Sequence, residues 1–210
     1  MARALSYTVV ALLLASCVST YDYPAEWAAV QPRDTSQTCP SIAGIYEEHG
    51  KVGRTYDYPT ERSLAWALLA TAWEQAQAPH KRQMSADMIM LTGGRVEISQ
   101  PRSEVLELTF WQTRGGTEWV AVRRQAFSIN NGDFSCSPNG IVLTRTMVVP
   151  ALLLNTGAKV WRTLNTAADG SLVMKVEERS AGNFYMLPFA NSDTYWVRWQ
   201  RGVLDGSKAK

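Results

Sequence analysis

The chain has 210 residues, 46% of them hydrophobic, and a formal net charge of +2 at pH 7. This hydrophobic content is typical of a folded globular protein and excludes an intrinsically disordered chain. Basic and acidic residues are interspersed without a basic stripe, so the sequence carries no electrostatic footprint for nucleic acid.

The first sixteen residues have the pattern of a secretory signal. Arg3 gives a positive start, residues 9–14 form a short apolar run, and small residues follow. A helix that spans a bilayer needs about 20 apolar residues, and this run is much shorter. We therefore expect residues 1–16 to be a signal peptide that is removed.

The motif Leu14-Ala15-Ser16-Cys17 resembles the lipobox of bacterial lipoproteins. That resemblance implies cleavage before Cys17, acyl chains on Cys17, and attachment to the membrane through those chains. Residue 18 is Val and not Asp, which by the same resemblance implies the outer membrane, with the protein facing the periplasm.

Residues 17–38 are predicted to be a lipidated tether. Two prolines and the polar run 34–38 are typical of a segment that lets a folded domain stand off the membrane. Trp27 is the exception, because a tether has no core in which to bury it. We interpret Trp27 as a contact to the domain or to another protein.

A single β-rich domain is predicted over residues 39–202, followed by a polar tail over 203–210. One helix is predicted over 61–77, capped by Thr60 and ended by Pro79. Apolar residues share one face of this helix at helical spacing: Trp66, Leu69, Ala70 and Trp73.

The rest of the domain is predicted to be strands, because apolar and polar residues alternate from Arg95 onwards. Gly115-Gly116 and Asp169-Gly170 are hairpin-turn signals. The main predicted strands are 42–47, 95–99, 105–110, 118–123, 141–149, 160–166, 172–176 and 195–200. Together these elements predict a mainly β (α+β) fold, an antiparallel barrel or sandwich with one main helix packed on it.

Two resemblances extend this prediction. Gly44-Ile45-Tyr46 and Arg198 resemble the lipocalin arrangement, in which a Gly-x-aromatic first strand meets a late arginine, although the aromatic residue here is Tyr and the helix lies early. That resemblance implies a carrier of a small apolar ligand. The Cys39-Pro40 start, the turn at 133–137 and the Tyr195-Trp196 ending resemble small bacterial envelope lipoproteins. That resemblance carries no known activity.

The cysteines invite a disulfide. If Cys17 is lipidated, Cys39 and Cys136 remain, and an exported protein lies where disulfides persist. We predict a Cys39–Cys136 bridge, with two buried free thiols as the alternative. The bridge would make the predicted strands 42–47 and 141–149 neighbours.

The sequence offers little for catalysis or metal binding. It contains two histidines, no Gly-x-Ser-x-Gly elbow and no phosphate loop. His49 lies in Glu47-Glu48-His49-Gly50, which we interpret as a solvated turn rather than a carboxylate–imidazole pair. We therefore predict no catalytic residue, no metal and no cofactor.

Eight tryptophans are many for this length. They indicate either a β-rich core or an aromatic surface for a ligand or a partner. Trp196 and Trp199 fall on opposite faces of one predicted strand, so one of them is left for a second surface beside Arg198. The candidate ligand or partner residues are Trp27, Trp66, Trp73, Trp196 and Arg198.

The sequence thus predicts a non-catalytic, lipid-anchored envelope protein that binds a protein partner or supports an assembly. The alternative is a lipocalin-like carrier of a small apolar ligand, and a hydrolase with two facing carboxylates ranks last. A large cavity lined by Trp and Leu would favour the carrier. A solid core with an exposed apolar patch would favour the partner protein.

Overall fold

The computed structural model describes residues 17–32, 39–54, 62–75, 94–114, 118–150, 154–184 and 187–204. Within these ranges the chain forms eleven strands and one α-helix. The elements are β1 Cys17–Thr20, β2 Gly44–Glu47, β3 Lys51–Val52, α1 Leu64–Gln75, β4 Arg95–Arg102, β5 Val105–Arg114, β6 Glu118–Ser128, β7 Ser135–Ser137, β8 Gly140–Pro150, β9 Leu154–Thr166, β10 Leu172–Phe184 and β11 Leu187–Trp199.

The strands form two sheets. The larger sheet has the order β1-β11-β10-β9-β8-β7, with β3 also paired to β11, and the smaller has the order β2-β4-β5-β6. Pairing is antiparallel throughout except that β1 runs parallel to β11. The predicted mainly β fold with one helix is confirmed, and the two open sheets pack face to face as a sandwich.

The core lies between the sheets, because alternation turns one face of each strand inwards. Leu106, Leu108 and Phe110 of β5 are buried on that face, as their spacing predicts. The space at the centre of the sandwich amounts to about 10 Å³ and is lined by both sheets and by Leu68 of α1. This is about the smallest space that holds one water molecule. The side chains that line this space therefore leave no room for a ligand between them.

The sheets are joined along one side by the chain itself. Beyond Trp199 the chain leaves the larger sheet and pairs with β2 of the smaller one. The Glu47 amide donates to the Gln200 carbonyl at 3.0 Å, and the Gly202 amide donates to the Ile45 carbonyl at 2.8 Å. Residues 200–202 thus continue from β11 of the larger sheet directly onto the edge of the smaller one.

A disulfide makes a second connection. Cys39, which precedes β2, is bonded to Cys136 of β7, and their Cα atoms lie 5.3 Å apart. The predicted bridge is confirmed, and the predicted segments 42–47 and 141–149 approach each other across the core, where Ile42 and Leu143 line one space, and not as paired strands. β2 and β8 lie in different sheets and do not pair. A disulfide fixes the distance between two residues and not the hydrogen-bond partners of the strands that follow them.

The helix begins later than predicted and has a different cap, and residues 76 and 77, the end of the predicted helix, lie outside the described residues. α1 begins at Leu64, and the Ser63 hydroxyl accepts a hydrogen bond from the Trp66 amide at 3.1 Å. Thr60 and Pro79 lie outside the described residues, as do the side chains of Ala70 and Trp73. Among the described side chains of α1 the buried ones are Leu64, Ala65, Ala67, Leu68 and Leu69.

Trp66, which belongs to the predicted apolar stripe, is only half-buried. The buried side of α1 is therefore not centred on Trp66. In the part of the chain that the structure describes, no helix is long and apolar enough to cross a bilayer.

Most strands are longer than the sequence predicts, β10 and β11 most of all. β10 and β11 pair over 13 residues each, whereas the predicted strands were 172–176 and 195–200. Residues 180–183 have low β-propensity, but hydrogen bonds to both neighbouring strands hold them extended. The hairpin predicted at Asp169-Gly170 is confirmed, and Gly170 has the positive φ of 78° that favours glycine there.

Candidate functional site

Cys17, the residue predicted to carry lipid, is the first residue of β1. It pairs in parallel register with Asn191 of β11, and Val18 pairs with Ser192. The pairing continues past β1, because the Tyr21 amide donates to the Thr194 carbonyl at 2.9 Å. The predicted lipidation site is thus built into the edge of the larger sheet.

Residues 21–32 lie against the outer face of the larger sheet, the face turned away from the smaller sheet. The Gln31 amide donates to the Thr166 carbonyl at 2.9 Å, and the Ala168 amide donates to the Ala29 carbonyl at 2.8 Å. Trp27 is only 5% exposed. Residues 17–32 of the predicted tether are therefore attached to the domain, because burial of an aromatic ring offsets the entropy lost on docking. Residues 33–38 lie outside the described ranges.

Three of the candidate residues meet on this outer face. The ring of Tyr23 lies edge-to-face against Trp27 and against Trp196, with centroids 5.7 Å and 4.9 Å apart. The Arg198 guanidinium lies 6.0 Å from the centre of the Trp27 ring. Trp199, on the opposite face of β11, is fully buried in the core. The prediction that Trp196 and Trp199 serve different surfaces is confirmed.

Arg198 is held by two polar side chains at the β9–β10 turn. Its Nε donates to the Ser171 hydroxyl at 3.0 Å, and its Nη2 donates to the Asp169 carboxylate. A hydrogen bond from the Ser171 hydroxyl, 2.6 Å long, lowers the pKa of Asp169, so the carboxylate stays charged beside the guanidinium. The outer-face cluster of Tyr23, Trp27, Trp196 and Arg198 therefore binds the N-terminal segment to the domain, and the charge of Arg198 is paired with that of Asp169.

The lipocalin-like arrangement is not formed. Tyr46 is fully buried in the core, where its hydroxyl donates to the Ile42 carbonyl at 2.9 Å. Arg198 lies on the outer face of the larger sheet, on the other side from Tyr46. The two residues that carried the resemblance are thus on opposite sides of one sheet.

Trp66 is apart from the other candidates. The guanidinium groups of Arg162 and Arg145 lie 5.6 Å and 5.8 Å from its ring centre. Arg162 is itself buried on the inner face of β9. The structure therefore places Trp66 beside the core and not at the outer-face cluster, and the Trp73 side chain lies outside the described residues.

Glu48 corrects the prediction of a solvated turn at 47–50, because its carboxyl group is buried while the neighbouring His49 is exposed. The carboxylate accepts hydrogen bonds from the Ser63 hydroxyl at 2.5 Å and from the Ala65 amide at 3.0 Å. Burial raises the pKa of Glu48 to about 7. These contacts place the group at the N-terminus of α1, where a carboxylate caps orphan amides.

An open groove of about 540 Å³ lies on the outer face of the larger sheet at the end nearest Cys17. Its lining includes the small residues Gly157, Ala181 and Ala190. Lys159 and Arg179 border it, and both are exposed. Their charged groups lie 4.9 Å and 5.6 Å from the centre of the Trp161 ring.

None of the candidate ligand or partner residues predicted from the sequence lines this groove. The signal in the sequence is the absence of any charged residue over 147–158 and over 180–192. The two uncharged runs indicate a surface only when the strand pairing is known, because that pairing places them side by side.

In the described ranges, no three His, Cys, Asp or Glu side chains lie close enough together to hold a metal ion. Comparison with known proteins found no matching family model, no matching curated protein and no matching solved structure. The function is therefore argued from the chain's own residues.

Proposed function

We propose that the protein is a lipid-anchored lipoprotein of the bacterial cell envelope, held in the membrane by acyl chains on Cys17. The observation that carries the proposal is the position of Cys17 at the start of β1, in register with Asn191. The motif before it, Leu14-Ala15-Ser16, supplies the order and spacing of a lipobox. The Val at position 18 supports the outer membrane as its location.

The docked segment makes this anchor a direct one. Residues 17–32 pair with or pack on the domain, so within the described chain no flexible linker separates Cys17 from the larger sheet. The sheet would sit within a few residues of the lipid. This geometry favours a protein that works at the membrane surface.

Within the envelope, we propose a non-catalytic role in binding or assembly. A small-molecule carrier needs a pocket of roughly 300 Å³ or more, and the space that Leu68 lines together with both sheets holds about 10 Å³. The one buried carboxyl group described, that of Glu48, is engaged by the N-terminus of α1. Both observations favour a role for the outer surface over a carrier or a hydrolase.

Mass spectrometry of the protein purified from its membrane tests the anchor. We expect the N-terminal peptide to begin at Cys17 and to carry acyl chains, and Cys17→Ala to remain an unprocessed precursor. The matched control is the double variant Cys39→Ala/Cys136→Ala, which changes the other cysteines and should be acylated normally. An unmodified Cys17 in the wild-type protein, or normal cleavage of Cys17→Ala, would refute the proposal.

Crosslinking in intact cells tests the binding role. Among the strands that the structure describes, β6 lies at one edge of the smaller sheet, and its Val122 is 49% exposed. Strand edges are common sites of strand addition by partner proteins. A photocrosslinker at Val122 should capture one defined envelope protein, while a crosslinker at Val203, close to the C-terminus, should not. Identical capture patterns at both positions would contradict a specific partner at β6.

A further inference from the structure

Both long hairpins of the larger sheet end on the same side as Cys17. The last pair of the β8–β9 hairpin is Pro150 with Asn155, and the last pair of the β10–β11 hairpin is Phe184 with Leu187. Leu187 lies four residues beyond Asn191, the partner of Cys17, which corresponds to about 13 Å of strand. We call the strand residues 146–150, 154–158, 180–184 and 187–192 the distal end.

The distal end contains no charged residue, and two exposed apolar side chains are described at or beside it. Neither 147–158 nor 180–192 contains an Asp, Glu, Lys, Arg or His. Four large hydrophobic side chains are notably exposed among the described residues: Val18, Val122, Phe189 and Val203. Two of these four, Val18 and Phe189, lie at or beside the distal end.

Two basic residues, Lys159 and Arg179, lie in the row of the sheet next to Cys17. Lys159 pairs with Arg179, Arg179 pairs with Ser192, and Ser192 pairs with Val18, so these residues form one row across the sheet. Neither cation forms an ion pair within the described part of the chain.

The acidic residue on the same face, Glu177, is bound by Lys175 at 3.1 Å. The row beside Cys17 is therefore positively charged. Lys and Arg side chains both bind phosphate, and anionic lipid attracts such groups at the membrane surface.

We propose that the distal end is a membrane-contacting surface, with Lys159 and Arg179 bound to phosphates of phospholipid headgroups and the uncharged strand ends at the edge of the acyl chains. The proposal deepens the proposed function and rests on it, because acyl chains on Cys17 place its row of the sheet at headgroup level. The parallel pairing of β1 with β11 means that the chain runs from Cys17 away from the distal end and into the body of the domain.

Backbone hydrogen bonding limits how far the distal end enters the membrane. In the described residues, no strand pairs with β8 on its outer side beyond Val142, or with β11 on its outer side between Leu187 and Ala190. Unpaired backbone groups are costly in the hydrocarbon layer. We therefore place the distal end in the interfacial region, roughly 5–10 Å deep, as for amphipathic segments that lie on membranes.

A spin label at Phe189 measures this depth. In the acylated protein Cys17 is blocked and Cys39 is bonded to Cys136, so Phe189→Cys supplies one reactive thiol. The control is Ala168→Cys, an exposed position in the turn at the opposite end of the sheet. The full acylated chain is placed in vesicles of phosphatidylcholine and phosphatidylglycerol. Oxygen should reach the Phe189 label and a water-soluble nickel chelate should not, whereas the Ala168 label should show the reverse.

Charge reversal tests the phosphate contacts. Lys159→Glu/Arg179→Glu should remove the protection of the Phe189 label in the same vesicles. Lys51→Glu, an exposed reversal on β3, should leave it unchanged, and circular dichroism checks that each variant is folded. Protection that survives the double reversal would overturn the role of Lys159 and Arg179.

The remaining outcomes separate this proposal from the anchor. One contrary result is that, in a protein with acylated Cys17, the chelate reaches the Phe189 label as readily as the Ala168 label. That result would overturn the membrane-contacting surface and leave the lipid anchor unaffected. Protection that appears only when envelope proteins are added would assign the distal end to a protein partner instead. An unacylated Cys17 would overturn the anchor and, with it, the placement argued here.

Discussion

The carboxyl group of Glu48 accepts a hydrogen bond from the backbone amide of Ala65, 17 positions later in the chain, at 3.0 Å. The contact joins the segment between β2 and β3 to the first turn of α1. It also takes an acidic group out of water, since Glu48 is 2% exposed. The stability of the domain should therefore depend on the protonation of this one group.

We expect Glu48 to make the domain less stable as pH rises towards neutrality. Its pKa in the folded state is about 7, above its ordinary value of 4.5, so the folded state binds the proton more tightly than the unfolded state does. The stabilisation is complete below pH 4.5 and is lost as pH rises through 7, by at most about 3 kcal/mol. Urea unfolding of wild type and Glu48→Gln between pH 4 and 8 measures the difference, and parallel pH profiles would contradict it.

The disulfide should contribute strongly to stability. Cys39 and Cys136 are 97 positions apart, and closing a loop of that length stabilises by about 4–5 kcal/mol at most in the chain-entropy estimate. Cys39→Ala/Cys136→Ala should lose stability of that order in denaturant unfolding. Reduction of the wild-type protein should produce a similar loss and leave the double variant unaffected. Equal stability of oxidised and reduced wild type would show that the bridge adds nothing.

Trp27 should hold the N-terminal segment on the sheet. Removing a buried Trp side chain typically costs about 3–5 kcal/mol, so Trp27→Ala should release the segment and expose residues 21–32 to protease. Trp27→Phe is the matched control. The Trp27 Nε1 has no hydrogen-bond partner in the described part of the chain, so Phe loses ring area and no polar contact. Limited proteolysis with mass spectrometry compares them, and equal protection of wild type and Trp27→Ala would refute the docking role.

Gly50 should not tolerate a side chain. A Cβ atom there would lie 2.6 Å from the Arg198 carbonyl oxygen and 2.7 Å from ring atoms of the buried Trp199. Because both neighbours are fixed by the sheet and the core, Gly50→Ala should destabilise by about 1–3 kcal/mol. Gly157→Ala is the control, since no atom lies within 4 Å of its Cβ position, and it should be neutral or slightly stabilising. Denaturant midpoints compare the two variants, and equal midpoints would contradict the packing argument.

The sequence by itself determined the fold class, the hairpin turns and the disulfide. These depend on local or chemical rules: alternation at Leu106, Leu108 and Phe110 reports one buried face, and Asp169-Gly170 reports a tight turn. With Cys17 set aside, Cys39 and Cys136 have only each other as a disulfide partner within the chain.

Tertiary structure decided which strands share a sheet and which surfaces are covered. Alternation shows that one face of β2 or β8 is apolar, but it does not show which strand lies across from that face. Docking of residues 21–32 likewise depends on Trp27 finding the outer face of β11, a contact between distant parts of the chain. One feature of the sequence indicates that the outer face is covered: Leu172-Val173-Met174 is a continuous apolar run, and it is buried on both faces of the sheet.

The burial of Glu48 and the charge pattern of the distal end were decided in the same way. The sequence around Glu48 predicts an exposed turn. The residue is buried only because the first turn of α1 packs against it and donates a hydrogen bond to its carboxylate. Lys159 and Arg179 are twenty positions apart and join one row with Val18, the residue after Cys17, only when β9, β10, β11 and β1 pair in register. A one-dimensional pattern records which residues are present, whereas long-range pairing determines which of them meet, because the partners of each strand are chosen by the whole fold.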